Sequence, residues 1–281
     1  MATSSLGPIL TATVVTPDLN PTVRAWREHL HQRFHAAGHI SLRQARYWGL
    51  SSLTRAPVVW LTNELEERWL RIIEIPDAKV AEPFSHRGWM SLEINVQDVN
   101  ALRAALERSP FQVIGEPAGA DIDDDTRTLQ VIGPAGEVLR FNEVKAEASP
   151  VGLPPARCPV DRLLAPVILA DDRDNALEFY KNFPDTEGLK SDVRIPVINQ
   201  ARQLDFEQKH PVATIKLRGD NLIEINQLDG LEDRPVSTAG LPAGIAMVSF
   251  AVKSVPDSLA GARRGSLLRG VAGELIELIV Q

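Results

Sequence analysis

The sequence predicts an α+β protein built from four tandem βαβββ units, two in each half of the chain. A Pro-rich segment at 145–161 divides the 281 residues into halves of similar length. The motif Gly-x-Ala-Gly-Glu followed by an alternating strand pattern ends both halves, as GPAGEVLRF (133–141) and GVAGELIEL (270–278). Self-similarity of this kind indicates a duplicated domain. We therefore predict a first domain at 1–144, a linker at 145–161 and a second domain at 162–281.

The first half contains the strand–helix order twice. ILTATVVT (9–16) predicts a strand, and Asn20 followed by Pro21 predicts a helix start after it. PVVWLT (57–62) and WLRIIEI (69–75) predict two more strands, after an irregular stretch at 38–57. The order then restarts with WMSLEINV (89–96), a helix capped by Asp98, and three strand patterns, FQVI, TLQVI and EVLRFNEV.

The second half repeats the order less fully. Strand patterns are LLAPVILA (163–170), PVATIKL (211–217), NLIEINQL (221–228), IAMVSFAV (245–252) and GELIELIV (273–280). DNALEFYKN (174–182) predicts the helix of the third unit. Few residues remain between 252 and 273 for the rest of the last unit, so we expect the fourth unit to be shortened.

Composition narrows the class of partner. The net charge is −7 and no Lys/Arg-rich block is present, which argues against a nucleic-acid partner. The single cysteine, Cys158, excludes an internal disulfide bond and fits a reducing compartment. We expect no signal peptide, and no apolar run in the sequence reaches membrane-spanning length. We expect a cytoplasmic protein that binds a small molecule and contacts no membrane.

Several segments resemble the vicinal oxygen chelate superfamily, which includes glyoxalases, extradiol dioxygenases, bleomycin and fosfomycin resistance proteins and epimerases. The segments are VILADDRDNALEFYKN (167–182), NLIEINQL (221–228), GVAGELIELIV (270–280), SLEINVQDVNALRAAL (91–106) and VSFAVKSVPDSLAGA (248–262). The resemblance implies two glyoxalase-like domains, each curving its strands into a cup. It also implies metal ligands, usually His, Gln or Glu, on the first and last strands of each unit.

A metal site is not supported at the positions that the resemblance assigns. Those positions are Thr11, Glu74, Ser91 and Arg140 in the first half, and Ala165, Glu224, Met247 and Glu277 in the second. Arg140 would repel a cation, and no histidine falls on these positions. We therefore predict no cofactor, with Glu224 and Glu277 as the remaining metal candidates. A divalent metal such as Fe, Mn or Zn is the alternative.

The first-half cup is predicted to hold the main site, because its inward positions are more polar than those of the second half. Glu74 and Arg140 are expected to face each other, either as a structural pair or as catalytic groups. Predicted substrate-binding residues are Thr11, Thr13, His39, Tyr47, Trp48, Ser91, Glu93, Asn95 and Asn142. His39, Tyr47 and Trp48 belong to the irregular stretch, for which ordinary packing is the alternative.

These observations favour a metal-independent enzyme of the lyase or isomerase type, acting on a small oxygenated metabolite, aromatic or not. One alternative is a binding or resistance protein without chemistry. The other is a metal-dependent dioxygenase or glyoxalase whose ligands lie elsewhere. The resemblance is compatible with a monomer and with a homodimer.

Overall fold

A computed structural model describes residues 4–120, 123–145, 153–264 and 266–281. The predicted linker therefore lies partly outside the described residues. Its described part is residues 145 and 153–161, of which 145 and 153–159 are in no helix or strand and the last two residues begin β9.

Units 1 and 2 each contain a βαβββ set. Unit 1 consists of β1 (Ile9–Thr16), α1 (Leu19–His29), β2 (Arg33–His39), α2 (Leu42–Tyr47), a 3₁₀ turn (Ser51–Leu53), β3 (Pro57–Thr62) and β4 (Arg68–Glu74). Unit 2 consists of β5 (Gly88–Val96), α3 (Val99–Leu106), β6 (Gln112–Ala120), β7 (Asp123–Ile132) and β8 (Val138–Val144).

Units 3 and 4 follow the same order. Unit 3 consists of β9 (Val160–Ala170), α4 (Arg173–Tyr180), β10 (Gly188–Arg194), α5 (Pro196–Ala201), β11 (Lys209–Lys216) and β12 (Leu222–Gln227). Unit 4 consists of β13 (Gly244–Val252), a 3₁₀ helix (Asp257–Ala262), β14 (Arg263–Arg264), β15 (Leu267–Arg269) and β16 (Leu275–Val280). The two short strands of unit 4 agree with the expected shortening, and the α+β class with repeated βαβββ units is confirmed.

The units do not combine as the halves of the chain suggest. The first eight-stranded sheet has the order β14-β15-β16-β13-β1-β4-β3-β2, and the second has the order β10-β11-β12-β9-β5-β8-β7-β6. Sheet 1 therefore joins unit 1 to unit 4 through antiparallel β1 and β13, and sheet 2 joins units 2 and 3 through β5 and β9. The prediction that each half forms its own cup is wrong, because the first strands pair between halves.

Two local predictions change in an informative way. The N-cap of α1 is Asp18 rather than Asn20, because the Asp18 carboxylate accepts the Asn20 backbone N–H. The stretch 33–39, expected to be irregular or helical, forms edge strand β2, whose residues are almost all exposed. An exposed edge strand lacks the apolar alternation that marks a half-buried strand in the sequence. The predicted Asp98 cap of α3 is confirmed by bonds from two backbone N–H groups.

The repeated Gly-x-Ala-Gly-Glu motif forms a hairpin turn that ties the two sheets together. The Glu137 carboxylate folds back over Gly133, where an added Cβ would lie 2.3 Å from Glu137 Cδ. It accepts Trp26 Nε1–H from α1 at 2.8 Å, which links unit 2 to unit 1. Glu274 accepts the Tyr180 hydroxyl from α4 at 3.0 Å, which links unit 4 to unit 3. Burial raises the pKa of each glutamate to about 7.

The largest apolar core lies on the helix side of both sheets. It includes the predicted helix-side residues Ala12, Val14, Leu92, Ile94, Leu139 and Phe141. The alternate residues on these strands face the two concave surfaces, which we call the sheet-1 cup and the sheet-2 cup. Within the described part of the chain, no helix is both long and apolar enough to cross a membrane.

Candidate functional site

One position on the last strand of each unit is charged and faces a cup. It is occupied by Arg71 on β4, Arg140 on β8, Glu224 on β12 and Glu277 on β16. The registers pair these residues with Thr13, Glu93, Val167 and Ser249 on the first strands of their units. Because sheet 1 joins units 1 and 4 and sheet 2 joins units 2 and 3, each cup receives one arginine and one glutamate.

In the sheet-1 cup the two charges form a direct, buried ion pair. Arg71 Nη2 lies 3.1 Å from Glu277 Oε2, and both side chains are at most 5% exposed. Arg71 also donates to Thr13 Oγ1 from Nε at 2.9 Å and from Nη2 at 2.7 Å. The Ser249 hydroxyl donates to Glu277 Oε2 at 2.5 Å. These bonds satisfy the charged groups internally, as a buried pair requires.

Trp48 fills the rest of the sheet-1 cup. Its side chain is fully buried, and Nε1–H donates to Glu277 Oε1 at 2.5 Å. The Arg71 guanidinium lies over its ring, 4.5 Å from the centroid. Trp48 ends α2, the short helix inserted between β2 and β3, and Gly49 follows it with φ of 69°. The insertion predicted to border a site therefore closes this cup.

In the sheet-2 cup the charges line a cavity of about 150 Å³. Arg140 Nη1 donates to Glu93 Oε1 at 2.9 Å, and Asn142 donates to Glu93 Oε2 at 3.1 Å. Arg140 is 22% exposed, against 5% for Arg71. Its Nε is buried without a hydrogen-bond partner among the described residues, although it is an obligate donor.

Glu224, on β12, lines the same cavity. Strand β12 belongs to the other half of sheet 2 and is separated from β8 by β9 and β5. Burial, with Glu93 nearby as a second negative charge, raises its pKa to about 7, although Arg140 acts in the opposite direction. Among the described residues that line the cavity, Glu116 and Arg194 form ion pairs with Arg103 and Glu207. Arg140 is bonded to Glu93, and Glu224 forms no ion pair within the described ranges. Glu224 is therefore positioned to gain and lose a proton near neutral pH.

The predicted pair of Glu74 with Arg140 is wrong, because the two residues belong to different sheets. Glu74 Oε2 accepts the backbone N–H of Leu19 at 3.0 Å, at the N-terminus of α1. Glu143 on β8 bonds in the same way to Val99 of α3. A carboxylate in this position satisfies a free helix N–H and interacts favourably with the helix dipole.

The structure distributes the other predicted site residues between the cups and the surface. Ser91, Glu93 and Arg140 line the cavity of the sheet-2 cup, and Asn142 supports Glu93. Asn95 donates to Pro154 O and lines a different cavity.

The remaining predicted residues belong to unit 1. Thr13 and Trp48 form part of the closed sheet-1 cup, and Thr11 lies on the same strand face as Thr13. His39 and Tyr47 are exposed.

Arg71 was missed although the sequence contains a signal for it. Residues 70–74 are LRIIE and residues 139–143 are LRFNE, so both share the pattern Leu-Arg-x-x-Glu. Aligning this pattern places Arg71 with Arg140, and Glu74 with Glu143. The incorrect alignment of Glu74 with Arg140 moved unit 1 by three residues, an odd number that exchanges the two faces of a strand.

The residues in the cups do not fit the metal that the fold family implies. An arginine occupies one of the charged last-strand positions in each cup, where it would repel a cation. Glu224 and Glu277, the predicted remaining ligands, lie in different sheets. No group of three His, Cys, Asp or Glu side chains suited to a metal occurs within the described ranges.

Comparison with solved structures supports the fold. Maize glyoxalase I superposes with a TM-score of 0.62 over 97% of this chain and 92% of that chain, at 13% sequence identity. A putative dioxygenase from Bacillus subtilis strain 168 gives a TM-score of 0.62 over 99% of this chain and 86% of that chain, at 11% identity. No family model and no curated protein matches the sequence. The chain therefore has the same fold as these two solved structures.

Proposed function

We propose that the sheet-2 cup is a metal-independent catalytic site for proton transfer on a small oxygenated metabolite, of the lyase or isomerase type. The observation that carries this proposal is Glu224, a carboxyl group with a pKa raised to about 7 that lines a cavity shared with Arg140. A general base or acid works best when its pKa is close to the operating pH.

The arrangement suits removal of a proton from carbon next to a carbonyl group. Glu224 takes the proton, the C–H bonding electrons form a carbon–carbon double bond, and the carbonyl π electrons move to oxygen. Arg140 lines the same cavity, and its Nε–H has no hydrogen-bond partner among the described residues, so its positive charge can stabilise that negative oxygen. Return of the proton from Glu224 to another carbon would complete an isomerisation, and loss of a leaving group would complete an elimination.

Glu93 holds the arginine for this task. Its two carboxylate oxygens accept hydrogen bonds from Arg140 and Asn142. Glu93 therefore holds the guanidinium in place, and Glu224 is not needed for that purpose. It also adds the negative charge that keeps the pKa of Glu224 high. Glu93 thus acts through its neighbours as a positioning residue.

The size and lining of the cavity limit the ligand. A volume of about 150 Å³ accommodates a molecule close in size to a single benzene ring. Met90, Val167 and Val212 supply apolar surface. Further hydrogen-bonding groups line the same space: Thr128, Gln130, Thr214 and Asn226. Polar and charged side chains make up about half of this lining, so the cavity suits a small ligand that has several oxygen atoms.

Solvent deuterium exchange tests the proposal whatever the final product is. A panel of small 2-oxo acids and hydroxyketones is incubated with chelator-treated protein in D₂O, and loss of C–H signals is followed by proton NMR. We expect exchange of at least one compound, reduced about 100-fold or more by Glu224→Gln. Glu74→Gln is the matched control, since it makes the same chemical change outside both cups, and it should keep the rate.

Arg140→Gln separates binding from chemistry in the same assay. We expect both a higher KM and a lower kcat for exchange, because in this proposal the arginine contacts the ligand oxygen in the ground state and in the transition state. Binding of panel compounds without exchange in the wild type would instead favour the non-catalytic binding protein. Exchange that requires added metal would favour the metal-dependent alternative.

A further inference from the structure

A second and larger cavity lies where the two sheets meet. Its volume is about 510 Å³, against about 150 Å³ for the cavity of the sheet-2 cup. Residues at the start of β5, at the start of β13 and in the hairpin 270–274 line it. Its apolar surface includes Trp89, Val236, Pro242, Ile245 and Val271. We call it the junction cavity.

Arg234 is a partly buried cation in the wall of this cavity. Its Nη1 donates to Trp89 O at 2.7 Å and to Ile245 O at 3.0 Å, and its Nη2 donates to Ala243 O at 2.7 Å. Among the described residues it forms no ion pair with a carboxylate. Burial without a compensating charge lowers its pKa to about 10. These carbonyl oxygens accept three of the five guanidinium N–H groups and leave the positive charge unbalanced.

Among the described residues, three arginines and three carboxylates line the junction cavity. Arg87 contacts both Asp171 and Asp233, so these three side chains together carry one surplus negative charge. Arg269, on β15, is exposed and its Nη1 donates to the carbonyl of Gly273. Glu274 is bonded to the Tyr180 hydroxyl, and burial raises its pKa to about 7, which reduces its negative charge near neutrality. Within the part of the chain that the structure describes, Arg234 and Arg269 form no ion pair with a carboxylate.

The corresponding position in the other half of the molecule is filled. The hairpin 133–137 repeats the hairpin 270–274, so Gly136 corresponds to Gly273. An added Cβ at Gly136 would lie 2.4 Å from Val80, whereas an added Cβ at Gly273 would have nothing closer than 3.9 Å. The space beside Gly136 amounts to about 30 Å³. Arg234 and Trp89 line both spaces, but only the space beside Gly273 is large, and Arg269 lines that space alone.

We propose that the junction cavity is a second ligand site, which binds a small organic carboxylate through Arg234 and Arg269 with its apolar body against Trp89 and Val236. A guanidinium recognises a carboxylate through charge-assisted hydrogen bonds. The ligand contacts both sheets, because Trp89 belongs to β5 and Arg269 to β15. Binding of the ligand therefore stabilises the junction between the two sheets.

Benzoate is the probe for this site, and benzamide is its uncharged control. Isothermal titration is carried out on the wild type, Arg269→Gln, Val236→Trp and Arg27→Gln. Arg269→Gln removes an exposed charge, and Val236→Trp fills the cavity from a residue that is 58% exposed, so both variants should fold. Arg27, an exposed residue of α1 outside the cavity lining, is the matched control.

We expect benzoate to bind the wild type and Arg27→Gln equally, and each junction variant at least about tenfold more weakly. We expect benzamide and inorganic phosphate to bind at least about tenfold more weakly than benzoate to the wild type, since each lacks one of the two recognised features. Absence of benzoate binding to the wild type, or wild-type affinity in either junction variant, would overturn the proposal. Equally tight binding of benzamide or phosphate would also overturn it.

Discussion

The two cups contain the same arginine and glutamate positions but use them differently. In the sheet-1 cup, Arg71 bonds directly to Glu277, and Trp48 occupies the remaining space. In the sheet-2 cup, Arg140 bonds to Glu93 and is four times more exposed than Arg71, at 22% against 5%. Glu224 lines a cavity beside that pair, and Arg140 donates its hydrogen bond to Glu93 instead.

One residue on the first strand accounts for much of this difference. Thr13 pairs with Arg71 in the register of unit 1, whereas Glu93 pairs with Arg140 in unit 2. A neutral threonine leaves the arginine of sheet 1 free for Glu277. In sheet 2 a second carboxylate, Glu93, binds Arg140 and leaves Glu224 without an ion-pair partner among the described residues. Balanced charges thus give a structural pair, and one surplus carboxylate gives a group that can exchange protons.

The largest effect is expected when the arginine of the closed cup is removed. Arg71→Leu leaves Glu277 buried without its cation, so we expect a loss of about 3–5 kcal/mol in the free energy of unfolding. Arg140→Leu should cost only about 1–2 kcal/mol, because its cup admits solvent. Urea denaturation of both variants measures the difference, and equal losses would remove the distinction between the cups.

Trp48 should contribute to stability through its ring nitrogen as well as its volume. Trp48→Phe keeps an aromatic ring but removes the donor to Glu277, so we expect a loss of about 2–3 kcal/mol. Trp60→Phe is the matched control, since Trp60 is only partly buried and lies over Arg68 and Arg71 without a hydrogen bond to Glu277. Its loss should stay below about 1 kcal/mol. A Trp48 variant as stable as the control would contradict the closed network.

The smallest effect is expected at the glutamate that the sequence placed in a cup. Glu74→Ala and Glu143→Ala should each cost about 1 kcal/mol, because each removes an acceptor at a helix N-terminus. Neither substitution should change deuterium exchange by more than about twofold. A loss of exchange in Glu74→Ala but not in Glu143→Ala would indicate that Glu74 acts in the reaction. That result would contradict a purely structural role of Glu74 at the N-terminus of α1.

The sequence predicted the parts of the fold that have strong local periodicity. Buried strands such as 89–96 and the Asp98 cap were recognised because burial and capping leave visible patterns. The pairing of units 1 and 4 was not recognised, because β1 and β13 join residues more than 200 positions apart and leave no local signal in the sequence. The exposed edge strand β2 was missed for lack of apolar alternation.

The site was predicted in part for the same reasons. Arg140, Glu93 and Ser91 were placed together correctly because they belong to neighbouring strands of one unit. Glu224 was assigned to the wrong cup, since its partner unit was misidentified. Arg71 was hidden by a three-residue error in alignment, although the Leu-Arg-x-x-Glu repeat was present.

The most direct test replaces the two cup glutamates by glutamine and compares the free energies of unfolding at pH 5 and pH 8. The pKa of Glu224 is raised to about 7 in the folded protein, so its contribution to stability is complete below its unfolded pKa and is lost as the pH rises through 7. Glu224→Gln removes that loss. We therefore expect it to stabilise the protein by roughly 1–2 kcal/mol at pH 8 and to have little effect at pH 5.

Glu277→Gln should have the opposite sign, because it leaves Arg71 buried without a carboxylate at either pH. We expect opposite changes in stability at pH 8 for the two substitutions, with Glu224→Gln more stable and Glu277→Gln less stable than the wild type. Changes of the same sign would contradict the assignment of one cup to structure and the other to function.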